Sequence, residues 1–357
     1  MKDASSPKKA GNAVISNASS FYTKWLALTI LTAQNAAVVL FMRYSRIYKP
    51  QNELYITTTG VVNAEIIKFV VASLLCFIYD CDMSIIEFKD TLNEECIKKW
   101  REFALLAVPS GLYVVQNNLQ YLASSNLPAE VFQVLSNLKI VTTAILSVLM
   151  LNRTLSNYQW FSIVALTIGV GIVQTSFAKG SSTTDNSTIN PVVGFVAVLG
   201  MVSISGFAGV FFEKVLKTTA ASIWVRNIQL ALIGMIISTI AMYIKDGEQV
   251  QLEGFYKGYD WLVWTVVCLA ALGGLVVAVV VKYADNVIKG FAAAIALVIS
   301  CFVSVAVLHD GDFNVGFMIG ATTVLSASII YSNNPPKVDT IKVSEMQKYE
   351  KVSTIEK

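Results

Sequence analysis

A few charged side chains lie inside stretches of this sequence that are otherwise apolar. A charge at membrane depth costs about 2.5–3.5 kcal/mol on insertion scales, so each one needs a partner or a watery cavity. Glu65 and Lys68 lie three residues apart on one predicted helix face, where they form either a structural ion pair or a gating pair. Lys139 has no acid close in sequence and lies too deep in its segment to reach the surface easily. Its position favours an anion-binding role.

A stripe of amide side chains with one tyrosine follows Pro109. Tyr113, Gln116 and Asn117, continued by Gln120, keep the i, i+3, i+4, i+7 spacing of a single helix face. Such a stripe either bonds helices to one another or lines a polar cavity. A cavity lined by amides, tyrosine and cations suits a phosphorylated, polyhydroxylated organic anion.

Further candidates lie closer to the ends of apolar stretches. Lys289 and Arg226 either line the same cavity or extend to lipid headgroups, because long cationic side chains can reach the membrane surface. Asn227 follows Arg226 directly. The pairs Ser205-Gly206 and Gly273-Gly274 allow either close helix packing or close approach of the backbone to a ligand.

The composition defines the class of protein that must position these residues. Of 357 residues, 55% are hydrophobic and 14% charged, whereas soluble domains carry about 25% charged residues. The net charge of +3 is too small to indicate nucleic acid binding. Five cysteines without a CxxC motif and a single histidine, His309, disfavour metal sites and nucleophile–base pairs. We expect an integral membrane protein with no catalytic residue, metal or cofactor.

Apolar stretches of membrane-spanning length recur along the chain and predict an all-α protein with ten transmembrane helices. Tryptophans at or just before the start of several stretches support this segmentation, because indole rings favour the membrane interface. The predicted spans are 25–42, 55–79, 102–122, 128–150, 157–178, 191–212, 223–244, 260–281, 286–308 and 314–331.

The distribution of Lys and Arg predicts the orientation. If the N-terminus is cytosolic, 17 of these residues fall on the cytosolic side and 6 on the opposite side, which agrees with the positive-inside rule. Both termini are therefore predicted to be cytosolic. Ten spans divide into five plus five, and an odd number in each half inverts the second half relative to the first.

This division predicts five segments of the chain. The two five-helix halves are separated by a lumenal connection and flanked by two cytosolic tails. The predicted segments are the N-terminal tail 1–20, the first half 21–178, the lumenal loop 179–190, the second half 191–332 and the C-terminal tail 333–357.

Five separated strings carry a resemblance to a known family. They are VPSGLYVVQNNLQY (108–121), FQVLSNLKIVTTAILSVLMLNRTLS (132–156), SGFAGVFFEKVLK (205–217), WVRNIQL (224–230) and GGLVVAVVVKYADNVIKGF (273–291). In this order they resemble Golgi nucleotide-sugar transporters of the group that carries CMP-sialic acid, UDP-galactose and UDP-N-acetylglucosamine. The resemblance covers roughly residues 21–335.

The resemblance implies roles for the polar residues described above. Lys139 in NLKI and Lys289 in VIKGF resemble phosphate-binding lysines of the family. The other substrate-binding residues that it implies surround the base, the sugar or the same cavity. They are Tyr113, Gln116, Asn117, Phe132, Ser205, Gly206 and Asn227. Phe132 stands where the family usually has Tyr, so contacts to the base or ribose are expected to differ there.

The resemblance also implies a fold of the drug/metabolite transporter superfamily and an activity. The protein is expected to be a secondary antiporter of the Golgi membrane that exchanges cytosolic nucleotide sugar for lumenal nucleoside monophosphate. UDP-N-acetylglucosamine is the favoured substrate, ahead of UDP-galactose and CMP-sialic acid. Membrane lipid, a second copy of the chain or a glycosyltransferase are further expected partners. A non-transporting scaffold for glycosyltransferases and a membrane-embedded enzyme acting on lipid-linked sugars are the alternatives from other classes.

Overall fold

The computed structural model describes residues 7–47, 53–177, 190–219, 221–308 and 314–335. Throughout these ranges the regular structure is helical, with one π-helical turn at Asn93–Lys98. The α-helices are α1 (Pro7–Ile47), α2 (Thr57–Tyr79), α3 (Ile85–Leu92), α4 (Trp100–Leu105), α5 (Ala107–Asn126), α6 (Ala129–Ser136), α7 (Leu138–Leu151), α8 (Asn157–Phe177), α9 (Pro191–Thr218), α10 (Ile223–Glu253), α11 (Trp261–Tyr283), α12 (Asn286–Leu308) and α13 (Val315–Asn333).

Within the described ranges, nine helical segments are long and apolar enough to cross a membrane. One of them, Val131–Leu151, combines most of α6 with α7. The prediction of an all-α integral membrane protein is therefore confirmed. The predicted span without a counterpart among these nine is the third, 102–122, which corresponds largely to α5. This helix is 20 residues long but carries the polar amide stripe. A count of ten stays a prediction.

Parts of the predicted segments fall outside the described residues. These are the first six residues, the lumenal loop 179–190 except for residue 190, and the C-terminal tail beyond residue 335. The remainder of the predicted N-terminal tail is helical, because α1 begins at Pro7. Its apolar part, Tyr22–Met42, matches the first predicted span closely.

The fourth predicted span is broken in its middle. Backbone bonds from Asn137 to Val134 and from Ile140 to Asn137 have the three-residue spacing of a tighter turn. The Asn137 side chain donates to Gln133 O at 3.0 Å and to Gln174 Oε1 at 2.7 Å. These contacts hold the break against α8, and Lys139 lies in the first turn after it.

The third predicted span is divided near its start by the same kind of turn. Leu106 separates α4 from α5 and bonds back to Phe103 at 3.1 Å. Pro109, in the first turn of α5, has no N–H to give to a preceding carbonyl, and prolines are favoured at such positions. The proline therefore permits a change of direction where the amide stripe begins.

Helix packing follows a reciprocal pattern between the two predicted halves. The contact of α5 with α9 has its counterpart in the contact of α11 with α1. In the same way, the contact of α7 with α9 has its counterpart in the contact of α12 with α1. Extensive contact also joins α8 with α13 and α2 with α10. This exchange of partners is what a five-plus-five repeat predicts, since each contact has its counterpart when the halves are interchanged. The repeat itself stays a prediction.

Cross-helix contacts define two ends of the bundle. We name one end the basic end, after its predicted excess of Lys and Arg. It contains residues 80–106, 152–156, 219, 221–222, 284–285 and 334–335, and contacts join Asp80 with Ser222, Glu102 with Arg226 and Arg153 with Asp285. Ser156 bonds to Asn334 there. At the far end lie residues 53–56, 127–128, 190, 254–260 and 314, where Asn190 bonds to Asn126. The candidate site lies between these ends.

Candidate functional site

A central cavity of about 1170 Å³ lies among α2, α5, α10 and α11, with α9 and α12 contributing near the basic end. It extends from Lys289 to residues at the far end of α2 and α10. Cavities that hold organic ligands commonly have volumes of about 300–1,000 Å³, so this one can admit a large solute. Its polar lining residues are Thr57, Thr58, Glu65, Lys68, Ser110, Tyr113, Asn117, Asn118, Gln120, Ser124, Ser238, Lys245 and Lys289.

The predicted ion pair on α2 is formed within this cavity. Lys68 Nζ lies 2.5 Å from Glu65 Oε2, and both side chains are largely buried. Gly234 on α10 and Gly274 on α11 provide the space for them. A Cβ at Gly234 would overlap the Glu65 carboxylate, and a Cβ at Gly274 would lie 2.9 Å from Lys68 Cδ. The pair is therefore held between two glycine gaps.

The amide stripe of α5 is divided by the structure. Tyr113, Asn117 and Gln120 line the central cavity, as the helical spacing predicts for one face. Gln116 is not part of the lining, and its buried Oε1 has no hydrogen-bond partner within the described part of the chain. Ser110 and Ser124 extend the same face by further turns in both directions. The sequence could have shown this extension, because both serines fit the same periodicity.

The two lysines singled out by the sequence differ from the other cations within the spans. Lys68 pairs with Glu65, and Arg226 pairs with Glu102 at 2.6 Å. Among the described residues, neither Lys139 nor Lys289 forms an ion pair.

Lys139 and Lys289 lie in the first turns of two helices that contact one another. Lys289 is in the first turn of α12 and lines the cavity, whereas Lys139, in the first turn of α7, is exposed and lies outside that lining. Ile140 Cγ2 lies 3.9 Å from the place of a Cβ on Gly290, so the residues that follow the two lysines are in contact. An anion can neutralise two neighbouring cations that have no ion-pair partner.

The other predicted residues lie outside the cavity lining. Phe132 packs with apolar residues of α5 and α9. Gly206 contacts α7, where a Cβ would lie 3.0 Å from Thr142 Oγ1, so its small size serves helix packing. Ser205, its neighbour, is half-buried. Asn227 is fully buried, and its Nδ2 bonds one turn back to a backbone carbonyl of α10.

A set of charges near the start of α12 was missed by sequence reasoning. Glu213 on α9 is fully buried, and its carboxylate contacts Arg153 at 3.0 Å, Lys217 at 2.8 Å and the Asn286 backbone N–H at 2.9 Å. Arg153 also pairs with Asp285 at 3.1 Å. We call these five residues the basic-end network. The spacing of Glu213 and Lys217 on one helix was the only sequence signal for it.

A second charged contact holds the segment between α2 and α5. The fully buried Arg226 donates to Glu102 at 2.6 Å and to Gln229 at 2.7 Å. Gln229 in turn donates to the carbonyl of Glu95 at 2.8 Å. Burial in the π-helical turn raises the pKa of the Cys96 thiol, which contacts Gln229. Arg226 therefore has a structural partner and does not face the cavity.

Another cavity, of about 770 Å³, lies between α1, α12 and α13. Most of its walls are aliphatic or aromatic, and Ala33, Ala36 and Ala37 form much of the α1 side. It contains none of the residues that the sequence singled out for binding. A phosphorylated solute fits the central cavity better, because Lys289 lines it together with Tyr113, Asn117 and Gln120 of the amide stripe.

Comparison with known proteins decides the family. Residues 19–332 match the sequence pattern of the family described as nucleotide-sugar transporter. The chain belongs to the nucleotide-sugar transporter family. The resemblance carried by the five sequence strings is thus confirmed, and the central cavity is a cavity of a nucleotide-sugar transporter.

Three relatives are similar to this chain over most of its length. The UDP-N-acetylglucosamine transporter of Mus musculus is 44% identical over 313 residues, which are 87% of this chain and 96% of the relative. A UDP-N-acetylglucosamine/UDP-N-acetylgalactosamine transporter of Caenorhabditis elegans, nstp-4, is 41% identical over 89% of this chain and 96% of its own. The UDP-galactose translocator of Mus musculus is 43% identical over 87% of this chain and 78% of its own.

A solved crystal structure also resembles this nucleotide-sugar transporter in fold. It has a TM-score of 0.58 and 12% sequence identity, and the match covers 87% of this chain and 96% of the other. At this identity the likeness shows a shared helical fold alone. The nature of the solute is therefore argued from the relatives and from the cavity.

Proposed function

We propose that this chain is an antiporter that moves UDP-N-acetylglucosamine into the Golgi lumen in exchange for a nucleoside monophosphate. The observation that carries the proposal is a pair of lysines, Lys139 and Lys289, whose following residues Ile140 and Gly290 are in contact and which form no ion pair among the described residues. A nucleotide phosphate supplies the missing negative charge. Because an empty site keeps two cations near one another, return of the carrier with an anion bound is favoured over return when empty.

The cavity has distinct regions for the parts of such a substrate. Lys289 lies near its basic end, whereas Tyr113 and Asn117 lie along the α5 wall. We assign the phosphate to the lysines and the base or sugar to the amide stripe. Lys139, Gln116, Phe132, Ser205, Gly206 and Asn227 remain predicted binding residues, although they lie outside the lining of this cavity.

Substrate choice is argued from the relatives. All three relatives described above are named for the transport of UDP sugars, and two of the names include UDP-N-acetylglucosamine. UDP-galactose is the second candidate, because a UDP-galactose translocator is 43% identical to this chain. Exchange with labelled UDP-N-acetylglucosamine and labelled UDP-galactose, each into liposomes preloaded with UMP, ranks the two.

A competition panel tests the class of base first. Purified full-length protein is reconstituted into liposomes, and unlabelled UMP, CMP, GMP and AMP compete with labelled exchange. We expect inhibition by UMP and exchange far above net uptake into empty liposomes. Preference for GMP or AMP would overturn the assignment to a pyrimidine nucleotide sugar. Absence of any flux, with folded protein, would instead favour the glycosyltransferase scaffold.

The lysine roles are tested by substitution. Lys139→Ala and Lys289→Ala should each weaken UMP binding roughly 10-fold to 100-fold, because a hydrogen bond to a charged group contributes about 1.5–3 kcal/mol. Uridine, which lacks the phosphate, should bind both variants as it binds the unaltered protein. Calorimetric titration of both ligands measures the effect. Lys282→Ala, which removes a cation from the end of α11 outside the cavity, is the control.

We further propose that the basic end faces the cytosol and that the protein acts as a transporter without catalysis. Both tails then lie on the cytosolic side, as the Lys and Arg distribution predicts. Protease treatment of sealed Golgi vesicles that carry tags at both termini tests the orientation. Digestion of both tags is expected, and survival of both without detergent would reverse the topology.

A further inference from the structure

The start of α12 is held against α9 by a hydrogen bond to a buried carboxylate and by close packing at a glycine. Glu213 Oε2 accepts a hydrogen bond from the backbone N–H of Asn286, the first residue of α12, at 2.9 Å. The first N–H groups of a helix have no partner within it, so an outside carboxylate is a strong anchor. Gly209, one turn before Glu213, makes room for the Asn286 side chain, because a Cβ there would overlap the amide.

Arg153 joins both acids that anchor this helix start. Its Nη2 lies 3.0 Å from Glu213 Oε1, and its Nη1 lies 3.1 Å from Asp285 Oδ2. Asp285 Oδ1 accepts from the backbone N–H of Ile288 at 2.7 Å, which caps the first turn of α12. Two nitrogens of one planar guanidinium thus bridge two separate carboxylates, a geometry that a lysine ammonium does not reproduce.

The sequence position of Arg153 connects Lys139 with Lys289. Arg153 lies two residues beyond the end of α7, the helix whose first turn contains Lys139. Arg153 contacts Asp285, which directly precedes α12, and Glu213 on α9, which accepts from the first N–H of α12. The first turn of α12 contains Lys289. Ile140 Cγ2 lies 3.9 Å from the place of a Cβ on Gly290, so the residues that follow Lys139 and Lys289 are in contact and the two like charges repel one another. The contacts of Arg153 oppose a separation of the two helices at this point.

We propose that Arg153 is a positioning residue that holds Lys289 beside Lys139 and so sets the affinity of the cavity for the phosphate group of its substrate. This inference rests on the proposed function, since it needs a phosphorylated ligand at these lysines. Arg153 acts through α12 and does not line the cavity. Its loss therefore changes where Lys289 is held, while the number of cations in the cavity stays the same.

Two substitutions of Arg153 distinguish a role in positioning Lys289 from a role of its positive charge alone. Arg153→Lys keeps the positive charge and loses the bridge between the two acids, whereas Arg153→Gln loses both. Lys214→Gln is the matched control, because Lys214 neighbours Glu213 on α9, is exposed and forms no ion pair among the described residues. Each variant is prepared as the full chain, and its thermal melting is recorded to establish folding.

The test compares UMP with uridine by calorimetric titration. Arg153→Lys and Arg153→Gln should each weaken UMP binding about 10-fold and leave uridine binding within about twofold. Lys214→Gln should change neither. In a Lys289→Ala background, Arg153→Lys should cause no additional loss for UMP, because residues that act through one another are not additive.

Several results would overturn the inference. Unchanged UMP affinity in folded Arg153→Lys protein would do so, as would an equal loss for UMP and uridine, which is the mark of general loosening. An undiminished further loss in the Lys289→Ala background would show that Arg153 acts independently. If Arg153→Gln does not fold, Arg153→Lys decides alone. Failure of the unaltered protein to distinguish UMP from uridine would instead remove the proposed phosphate site, and this inference with it.

Discussion

The two ends of the helix bundle are held together by different chemistry. At the basic end, the buried Glu213 carboxylate is surrounded by cations and a backbone N–H. At the far end, the Tyr259 hydroxyl contacts Thr59 at 3.0 Å and Asn63 at 2.9 Å. The Tyr259 ring packs edge-on against the rings of Tyr55, Tyr256 and Trp264. The basic end therefore depends on full charges and the far end mainly on neutral groups.

This difference indicates how easily each end can separate. Removal of one partner from a buried ion pair leaves an uncompensated charge and costs about 3–5 kcal/mol. A neutral hydrogen bond contributes about 0.5–1.5 kcal/mol net, because its partners can bond to water instead. The central cavity extends to the far end, where the weaker contacts lie. The stronger contacts, those of Glu213 and Arg153, lie at the basic end, where Lys289 lines the cavity.

Glu213→Ala should have the largest effect on stability. Arg153 and Lys217 lose their shared carboxylate, and the Asn286 N–H loses its acceptor, at a cost of about 3–5 kcal/mol. Thermal unfolding of purified protein in detergent measures the change. Lys214→Ala, one residue along α9 on an exposed position, serves as the control. A melting temperature equal to that of the control would show that the charges do not hold this end.

Tyr259→Phe should have an intermediate effect. The ring and its packing remain, but buried Thr59 and Asn63 lose the hydroxyl that they contact, at a cost of about 1–3 kcal/mol. Tyr256→Phe is the matched control, since Tyr256 packs in the same aromatic group with a more exposed side chain. If Tyr259→Phe matched Glu213→Ala in its loss of melting temperature, the contrast between the ends would be wrong.

Lys257→Gln should have the smallest effect, although it breaks a contact of 2.5 Å with Glu253 at the far end. Exposed ion pairs contribute little, because water and dissolved ions screen them. We expect an unchanged melting temperature at both low and high ionic strength. A clear loss at low ionic strength alone would show that the far end also depends on charge.

Sequence reasoning succeeded where the information was local. The spacing of Glu65 and Lys68 on one helix led directly to their ion pair, and the periodicity of α5 placed Tyr113 and Asn117 on the cavity wall. In both cases the relevant residues lie within two helical turns of one another. The anion-binding role of Lys139 stays a prediction, because Lys139 is exposed and lies outside the cavity lining.

It could not predict contacts that depend on the relative placement of helices. The break after α6 is held by Gln174, which lies 37 residues from Asn137. Arg153 meets Glu213 and Asp285 only because α7, α9 and α12 converge. No periodicity in a single segment contains that convergence. The family resemblance gave residue roles but not these partners.

The glycine gaps beside α2 restrict sliding between helices. Glu65 occupies the place of a Cβ at Gly234, so this pair fixes the register of α10 against α2. A slide by one helical turn, about 5.4 Å, would bring Leu230 or Ser238 opposite the carboxylate. Either side chain would occupy the space that the carboxylate now fills. Small sliding motions of this helix pair are therefore disfavoured, and rigid movement of α2 together with α10 preserves the fit.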